Sequence, residues 1–295
     1  MPPTLLQIIL LGLVQGAAEL LPVSSSAHVI AAERLMRLDP SSPEMTYLMV
    51  MLHAGTMVAM ITYFWGAWRR SFFASRSVFR DFAVRAALAT VATAAVGYPL
   101  QLIVVKLVLR GRAGAQVEDL FSNLPLMAAC LAAAGLLIVV AGLWSGSAEP
   151  RGASPAPSDA AIPNGPAIWM GAVQGVCLPF RGFSRSGATI STGMLIGLPR
   201  RATEEFSFAL AVIITPPVIA REAWRLYKSH PSARNGLDLG ALAVPGLIGM
   251  VCSFAAGLAA LRWLSRWLEN GRWHYFGYYC FAAAAGVCVL AGMGY

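Results

Sequence analysis

Charged residues are scarce in this chain of 295 residues: Asp, Glu, Lys and Arg make up 12% of it, and 57% is hydrophobic. A soluble domain usually carries about 25% charged residues. The deficit excludes an ordinary soluble enzyme and indicates a chain whose main solvent is lipid. No Asp, Glu, Lys or Arg occurs in 45–68, 86–105, 120–148, 239–261 or 273–295. Each of these stretches reaches the roughly 20 residues that a helix needs to cross a bilayer.

Other absences exclude further classes of protein. The five cysteines lie in apolar stretches without a CxxC pair, which argues against a structural metal or a disulfide framework. No basic residue precedes the first apolar run, so the N-terminus does not resemble a cleavable signal peptide. The net charge of +8 is not gathered into a stripe, because Lys and Arg mostly separate the apolar stretches, where they would contact lipid headgroups. We therefore expect membrane lipids around the chain and no nucleic-acid partner.

The apolar pattern predicts an all-α integral membrane protein. Six transmembrane helices are predicted at about 44–66, 83–105, 124–143, 204–222, 240–262 and 276–293. Two pairs of shorter apolar segments stand apart, at 4–14 with 26–37 and at 166–177 with 188–198. Each pair surrounds a polar motif, at 15–28 or 178–189, and is too short for two full spans. We predict that both pairs are re-entrant.

The two halves of the chain resemble each other. Gln15-Gly16 recurs as Gln174-Gly175, 159 positions later, and the serines of 22–26 have a looser echo in 182–186. Weak internal similarity is typical of membrane folds built from inverted repeats. The sequence therefore predicts a first repeat at 1–143, a flexible loop rich in Gly, Ser and Pro at 144–166, and a second repeat at 167–295. Three spans separate the motifs, so the second half is inverted and the motifs meet near the middle of the membrane.

The first motif carries an acid within an apolar run. An ionisable group at membrane depth costs about 2.5–3.5 kcal/mol on insertion scales and is normally functional. That group is Glu19, and Gln15 lies four residues earlier, on the same face of a helix.

A polar turn follows the acid. Pro22 ends the helix, and Ser24, Ser25 and Ser26 then supply hydroxyl and backbone N–H groups at the start of the next helix. Such a helix start favours anion binding. His28 lies one turn further on and is a candidate acid or base near neutral pH.

The second motif places two arginines between apolar runs, Arg181 and Arg185. A guanidinium offers a planar fork of donors that fits phosphate oxygens. Ser184, Ser186 and Thr189 add donors at a predicted helix start. Together the motifs predict one buried site that handles phosphate.

Simpler interpretations stay open at this point. Arg185 and Glu19 would also make a structural ion pair, the serines would merely cap helices, and a chloride or carboxylate site is physically allowed. For His53, inside a predicted span, an interhelical hydrogen bond is the favoured interpretation. Glu204 and Glu205 are expected at the edge of a span, where they start a helix favourably.

These motifs resemble the signatures of the bacterial undecaprenyl pyrophosphate phosphatase family, also called the bacitracin-resistance family. Residues 15–28 match its first signature, and 182–190 match its second, Gly-Phe-Ser-Arg-Ser-Gly-Ala-Thr-Ile. Further similarity lies at 52–56 and 199–211. The resemblance implies an inverted-repeat fold and an enzyme that removes the terminal phosphate of undecaprenyl pyrophosphate, regenerating the carrier for cell-wall synthesis. It also implies the bacterial cytoplasmic membrane, a site facing its outer side, and a divalent cation, Mg²⁺ or Ca²⁺.

The resemblance also implies roles for individual residues. The catalytic candidates are Glu19, Ser25, His28 and Arg185, and Glu19 is also the candidate metal ligand. The substrate-binding candidates are Gln15, Ser24, Ser26, Ser184, Ser186 and Thr189. Three positions depart from the family pattern: Gln15 is acidic in many members, Ala27 replaces a common Gly, and Arg181 replaces a common Pro.

Several alternatives remain at the level of mechanism and function. Either Ser25 or a water attacks, with His28 or Glu19 relaying the proton. The rival function is a transporter or flippase for lipid phosphates or anions, since inverted repeats are also a transporter architecture. An acid-phosphatase-like lipid phosphatase is disfavoured because its separate histidine motifs are not found. The sequence leaves the oligomeric state open, a homodimer included.

Overall fold

The structure is a computed structural model that describes residues 3–40, 42–108, 123–148, 162–180, 182–229 and 239–293. Within these ranges the chain forms ten α-helices. They are α1 (Leu5–Leu20), α2 (Ser25–Leu35), α3 (Pro43–Ser71), α4 (Arg76–Val108), α5 (Leu124–Ala148), α6 (Asn164–Cys177), α7 (Arg185–Leu195), α8 (Arg200–Ser229), α9 (Leu239–Glu269) and α10 (His274–Gly292).

Six of the helices are long and apolar enough to cross a membrane, namely α3, α4, α5, α8, α9 and α10. They coincide with the six predicted spans, so the prediction of a multi-pass, all-α membrane protein is confirmed. The main difference is at α8, which begins at Arg200. Glu204 and Glu205 are therefore not at its edge: both are buried, and Ser265 and Arg201 hydrogen-bond them. Carboxylates can lie inside a helix bundle when hydrogen bonds or an ion pair satisfy them, although their charge alone predicts a position at the edge of the span.

The other four helices form two short pairs, α1 with α2 and α6 with α7. Their lengths are 16, 11, 14 and 11 residues, below the roughly 20 that a full span requires. Thr4 caps α1 through a capping box, and Leu21 is extended because Pro22 follows it. Three spanning helices separate the two pairs, which gives the predicted inversion of the second pair.

Each short pair packs against the other half of the chain. α1 lies against α9, and its counterpart α6 lies against α4. Two Gly-x-x-x-Gly patterns make these contacts, Gly12 with Gly16 and Gly171 with Gly175. A Cβ atom at Gly16 would collide with the carbonyl of Ser253, and a Cβ at Gly171 or Gly175 would collide with backbone of α4. Small residues at these positions let the helix backbones approach closely.

Two of the long helices of the first half pack against the equivalent helices of the second half. α3 packs on α8, where Phe64 and Phe208 stack at 5.1 Å, and α5 packs on α10, where Gly135 and Gly277 face each other. The main buried apolar cluster fills the space between them. The predicted division at 144–166 stays a prediction, because 149–161 lie outside the described residues.

Candidate active site

Glu19 is the centre of a network that joins both motifs. Its Oε2 accepts a hydrogen bond of 2.5 Å from Ser25 Oγ and one of 3.3 Å from Gln15 Nε2. Its Oε1 accepts a bond of 3.0 Å from Arg185 Nη2. The helical spacing of Gln15 and Glu19 therefore places them together as predicted, and the turn at Pro22 brings Ser25 back towards the acid.

The ion pair between Arg185 and Glu19 links the two halves of the chain. The side chains are mostly buried, with 22% of Arg185 and 16% of Glu19 exposed. Charged groups this poorly hydrated need partners, and the two motifs supply them to each other. The predicted meeting of the motifs is thus present in the structure.

One nitrogen of the guanidinium makes no hydrogen bond to the described part of the chain. Arg185 Nη1 is buried and has no hydrogen-bond partner among the described residues. Buried polar atoms are nearly always bonded, so an unpaired donor calls for a ligand. An anion that binds Nη1 would lie directly beside the Glu19–Ser25 pair. This position suits a phosphate oxygen, since guanidinium groups bind oxyanions through parallel N–H donors.

Four serines form a hydroxyl cluster where α2 and α7 begin. Ser24 and Ser26 are 3.2 Å apart at their Oγ atoms, and Ser184 and Ser186 are 3.4 Å apart. Ser186 also donates to the carbonyl of Leu21 at 3.3 Å, which ties the second motif to the first. The cluster thus collects hydroxyl groups and two helix N-termini in one place, an arrangement that favours an anion.

The backbone is unusual at the first turn. Ser24 has a φ of +66°, a left-handed conformation that non-glycine residues rarely adopt. Its carbonyl accepts a bond of 2.9 Å from His28 Nδ1. The turn therefore fixes the imidazole as well as the serine hydroxyls.

His28 is held at both ring nitrogens. Because Nδ1–H donates to the Ser24 carbonyl, Nε2 of the neutral ring accepts the O–H of Tyr279 at 2.7 Å. The two rings also stack, with centroids 5.6 Å apart. Tyr279 is not recognisable as a site residue from the sequence, since a tyrosine near the end of a span is usually an interfacial anchor.

Thr189 does not join the polar network around Glu19. It is fully buried, and its hydroxyl is 2.6 Å from Ser207 Oγ of α8 and donates to the carbonyl of Arg185 at 2.9 Å. It orients α7 and the backbone of Arg185, and its direct contact with phosphate stays a prediction. Arg181, the other predicted arginine, lies outside the described residues.

His53 is bonded within its own helix at Nδ1, and the expected interhelical hydrogen bond stays a prediction. Its Nδ1 donates to the carbonyl of Met49 at 2.8 Å.

The site fits a cation that arrives with its substrate better than a resident one. Among the described residues, no three His, Cys, Asp or Glu side chains come together as a metal site. Glu19 is one carboxylate, and both of its oxygens are already hydrogen-bonded. Mg²⁺ commonly uses one or two carboxylates, several waters and the substrate's phosphates, so this donor set is sufficient for it.

The chain is similar to known proteins over nearly its whole length. Residues 8–286 match the family described as bacitracin resistance protein BacA. The chain is 50% identical over 289 residues to a protein of Acinetobacter baylyi named undecaprenyl-diphosphatase 2, covering 97% of this chain and 98% of that one. A protein of Desulfosudis oleivorans named undecaprenyl-diphosphatase is 32% identical, covering 98% of this chain and 98% of that one. A protein of Rhodopirellula baltica with the same name is 30% identical, covering 97% of this chain and 98% of that one.

Proposed function

The chain belongs to the BacA bacitracin resistance family, and from this premise we propose that it hydrolyses undecaprenyl diphosphate to undecaprenyl phosphate and inorganic phosphate. That reaction recycles the lipid carrier of peptidoglycan synthesis and confers resistance to bacitracin. The alternative of a carrier or flippase is not favoured, since the similar proteins reported above bear the name of a diphosphatase.

The observation that carries the proposal is the unused nitrogen of Arg185 beside an acid–serine pair. Nη1 is a buried donor without a partner in the described part of the chain, and Nη2 of the same guanidinium bonds Glu19, which accepts the hydroxyl of Ser25. The terminal phosphate would bind Nη1 and the N-terminus of α7. These donors would also stabilise the charge that develops on the phosphate oxygens during transfer.

Of the two nucleophiles considered from the sequence, the geometry supports Ser25. Its hydroxyl donates to Glu19 at 2.5 Å, and the carboxylate is oriented by Gln15 and Arg185, as in a nucleophile with its general base. Ser25 Oγ would attack the terminal phosphorus and pass its proton to Glu19, and the phosphoanhydride bond would break to release undecaprenyl phosphate. Water would then hydrolyse the phosphoserine to inorganic phosphate. His28 is less suited to accept this proton, because Tyr279 occupies its acceptor nitrogen.

A divalent cation, Mg²⁺ or Ca²⁺, is part of the proposal. It would neutralise charge on the diphosphate, and Glu19 is the residue that would hold it. The rate after chelation and after readdition of each metal ion tests this requirement.

The location follows from the function. We propose the bacterial cytoplasmic membrane, with the site facing its outer side, where the diphosphate carrier is released. A homodimer stays a prediction that sedimentation in detergent would test.

The proposed function is tested by phosphate release from undecaprenyl diphosphate in detergent. We expect Glu19→Gln and Arg185→Lys each to lower the rate by about 100-fold or more, because each removes a charge or a donor fork at the reacting phosphate. Arg201→Lys is the matched control, since Arg201 makes a comparable ion pair with Glu205, at 3.1 Å, away from the site. Thermal unfolding would show that the variants are folded. Near-normal turnover in both site variants would remove the enzymatic assignment.

A further inference from the structure

A groove lies beside the site, between α2, α5 and α10. Its volume is about 370 Å³, within the range of small-molecule sites. His28 and Tyr279 line one part of it, and the other lining residues are apolar or small, among them Ala31, Leu131 and Gly286. Tyr279 and its neighbours on α10 are about half exposed on the outer face of the helix bundle. The groove therefore extends from His28, which borders the polar site, to the surface that faces lipid.

The groove exists because the two halves pack differently at this point. α7 packs closely along α5, so that a Cβ atom at Gly187 would come within 2.8 Å of Ile138. The counterpart of α7 is α2, and the counterpart of α5 is α10, yet α2 and α10 make few contacts. Small side chains on both helices, Ala27 and Ala31 on α2 and Ala283 on α10, leave the space between them unfilled.

The chemistry at the two ends of the groove identifies its occupant. His28 lies in the groove and is bonded to Ser24, which belongs to the hydroxyl cluster beside Arg185. A molecule with an anionic head at Arg185 and an apolar chain would meet a matching environment at both ends. A phospholipid also carries a phosphate, so the choice of the diphosphate carrier as occupant rests on the proposed function, and competition with phosphatidylglycerol tests it.

We propose that the groove between α2, α5 and α10 holds the first part of the polyprenyl chain, and that the stacked pair of His28 and Tyr279 forms its boundary with the diphosphate site. The proposal rests on the proposed function for the nature of the head group. It adds the route of the chain and the residues that select for it. Apolar substrate atoms here would be removed from both water and bulk lipid while the head is fixed at Arg185.

Gly286 is an open position at which a side chain can be added to the wall of the groove. A Cβ atom added there meets no heavy atom within 4 Å, although Gly286 lines the groove. Gly292 is the matched control, because it lies in the same helix, is equally open and does not line the groove.

The first experiment compares Gly286→Phe with Gly292→Phe. We expect Gly286→Phe to raise the KM for undecaprenyl diphosphate by about tenfold or more, as when a group is excluded from an apolar pocket. The inhibition constant of inorganic pyrophosphate, which reports on the polar site alone, should change less than about twofold in both variants. Equal KM values in the two variants, or a parallel rise of KM and the inhibition constant, would overturn the proposal.

The second experiment does not depend on turnover. A prenyl diphosphate with a diazirine on an early isoprene unit would be photolysed on the wild-type protein, and the labelled peptides would be mapped. We expect adducts on α2 and α10 that are lost with excess undecaprenyl phosphate and persist with excess phosphatidylglycerol. Adducts on other helices, or equal competition by phosphatidylglycerol, would refute the groove. Wild-type protein that binds the probe here without releasing phosphate would refute the proposed function and keep the groove.

Discussion

Ser25 is distinguished from its two neighbouring serines by a single contact. It donates to Glu19, whereas Ser24 and Ser26 bond to each other. The hydroxyl that faces the carboxylate is the one that a general base can activate. Three consecutive serines look alike in sequence, so the structure is needed to separate their roles.

A phosphoserine intermediate is therefore expected at Ser25. Acid quenching of turnover with substrate radiolabelled on the terminal phosphate should leave label on the wild-type protein and none on Ser25→Ala. Turnover of Ser25→Ala should fall by orders of magnitude. Ser71→Ala is the control, because Ser71 bonds Glu205 and lies outside the acid network. Wild-type rates in Ser25→Ala would instead assign the attack to water.

Tyr279 is expected to act through His28. Its hydroxyl donates to Nε2 at 2.7 Å, and losing such a bond typically costs about 0.5–1.5 kcal/mol. We expect Tyr279→Phe to slow turnover about 2- to 10-fold, and Tyr278→Phe, whose ring contacts His274 instead, to have no effect.

A double-mutant cycle with His28→Ala checks the coupling. If Tyr279 acts through His28, the second substitution adds little to the first. Fully additive effects would show that the tyrosine has an independent role.

At this scale the sequence predicted the contacts that lie within or between the motifs. Gln15, Glu19 and Arg185 were recognisable because ionisable and amide groups are costly in an apolar run. Tyr279 was not, because it lies 251 positions from His28 and carries no charge to mark it. Thr189 was assigned to phosphate from its motif, but its hydroxyl bonds α8, and a motif does not tell which face of a short helix is turned to the site.

The short pairs are positioned by glycine rather than by large apolar side chains. α1 and α6 approach α9 and α4 so closely that a single methyl group at Gly16 or Gly175 would collide with backbone. Backbone atoms cannot rotate away as a side chain can. The location of Glu19 and of the second motif therefore depends on these contacts.

We expect Gly16→Ala and Gly175→Ala each to destabilise the protein by about 1–3 kcal/mol, the usual cost of overpacking. Thermal unfolding in detergent, followed by fluorescence, would measure the loss. Gly66→Ala is the control, since its nearest new contact is the mobile end of Arg70 at 3.9 Å. That substitution should be neutral or slightly stabilising because alanine favours helix. Unchanged melting temperatures in the first two variants would contradict the close packing.

The spans were predictable as elements because charge-free stretches mark them directly. The start of α8 was not, because four charged residues, Arg200, Arg201, Glu204 and Glu205, precede its apolar part. In the structure Arg201 and Glu205 pair along the helix, and Glu204 bonds Ser265. Charged side chains that have such partners are compatible with a buried helix. The number of charged residues in the sequence does not show which of them are paired.

On the scale of the whole molecule, each half of the chain packs its first short helix against the other half. α1 belongs to the first half and packs on α9, and α6 belongs to the second half and packs on α4. The internal repeat predicted that these helices are equivalent. It did not predict their partners, because a sequence offset relates positions without saying what each one touches.

Neither half should fold alone, since each lacks the helix on which its short pair lies. We expect fragments cut between residues 150 and 160 to be unstable when expressed singly. Coexpression of the two should restore a complex that releases phosphate from undecaprenyl diphosphate. Yield after detergent extraction and activity of the copurified pair would be measured. A single fragment that remains folded and monodisperse would show that the contacts of α1 with α9 and of α6 with α4 contribute little stability.

The bond from Arg185 to Glu19 has a further consequence for turnover. Glu19 holds Nη2 of the guanidinium while the phosphate is expected on Nη1, so a fixed carboxylate stays close to every bound oxyanion. Its negative charge lowers the affinity for the free phosphate product as well as for the substrate. We therefore expect weak inhibition by inorganic phosphate and rapid product release.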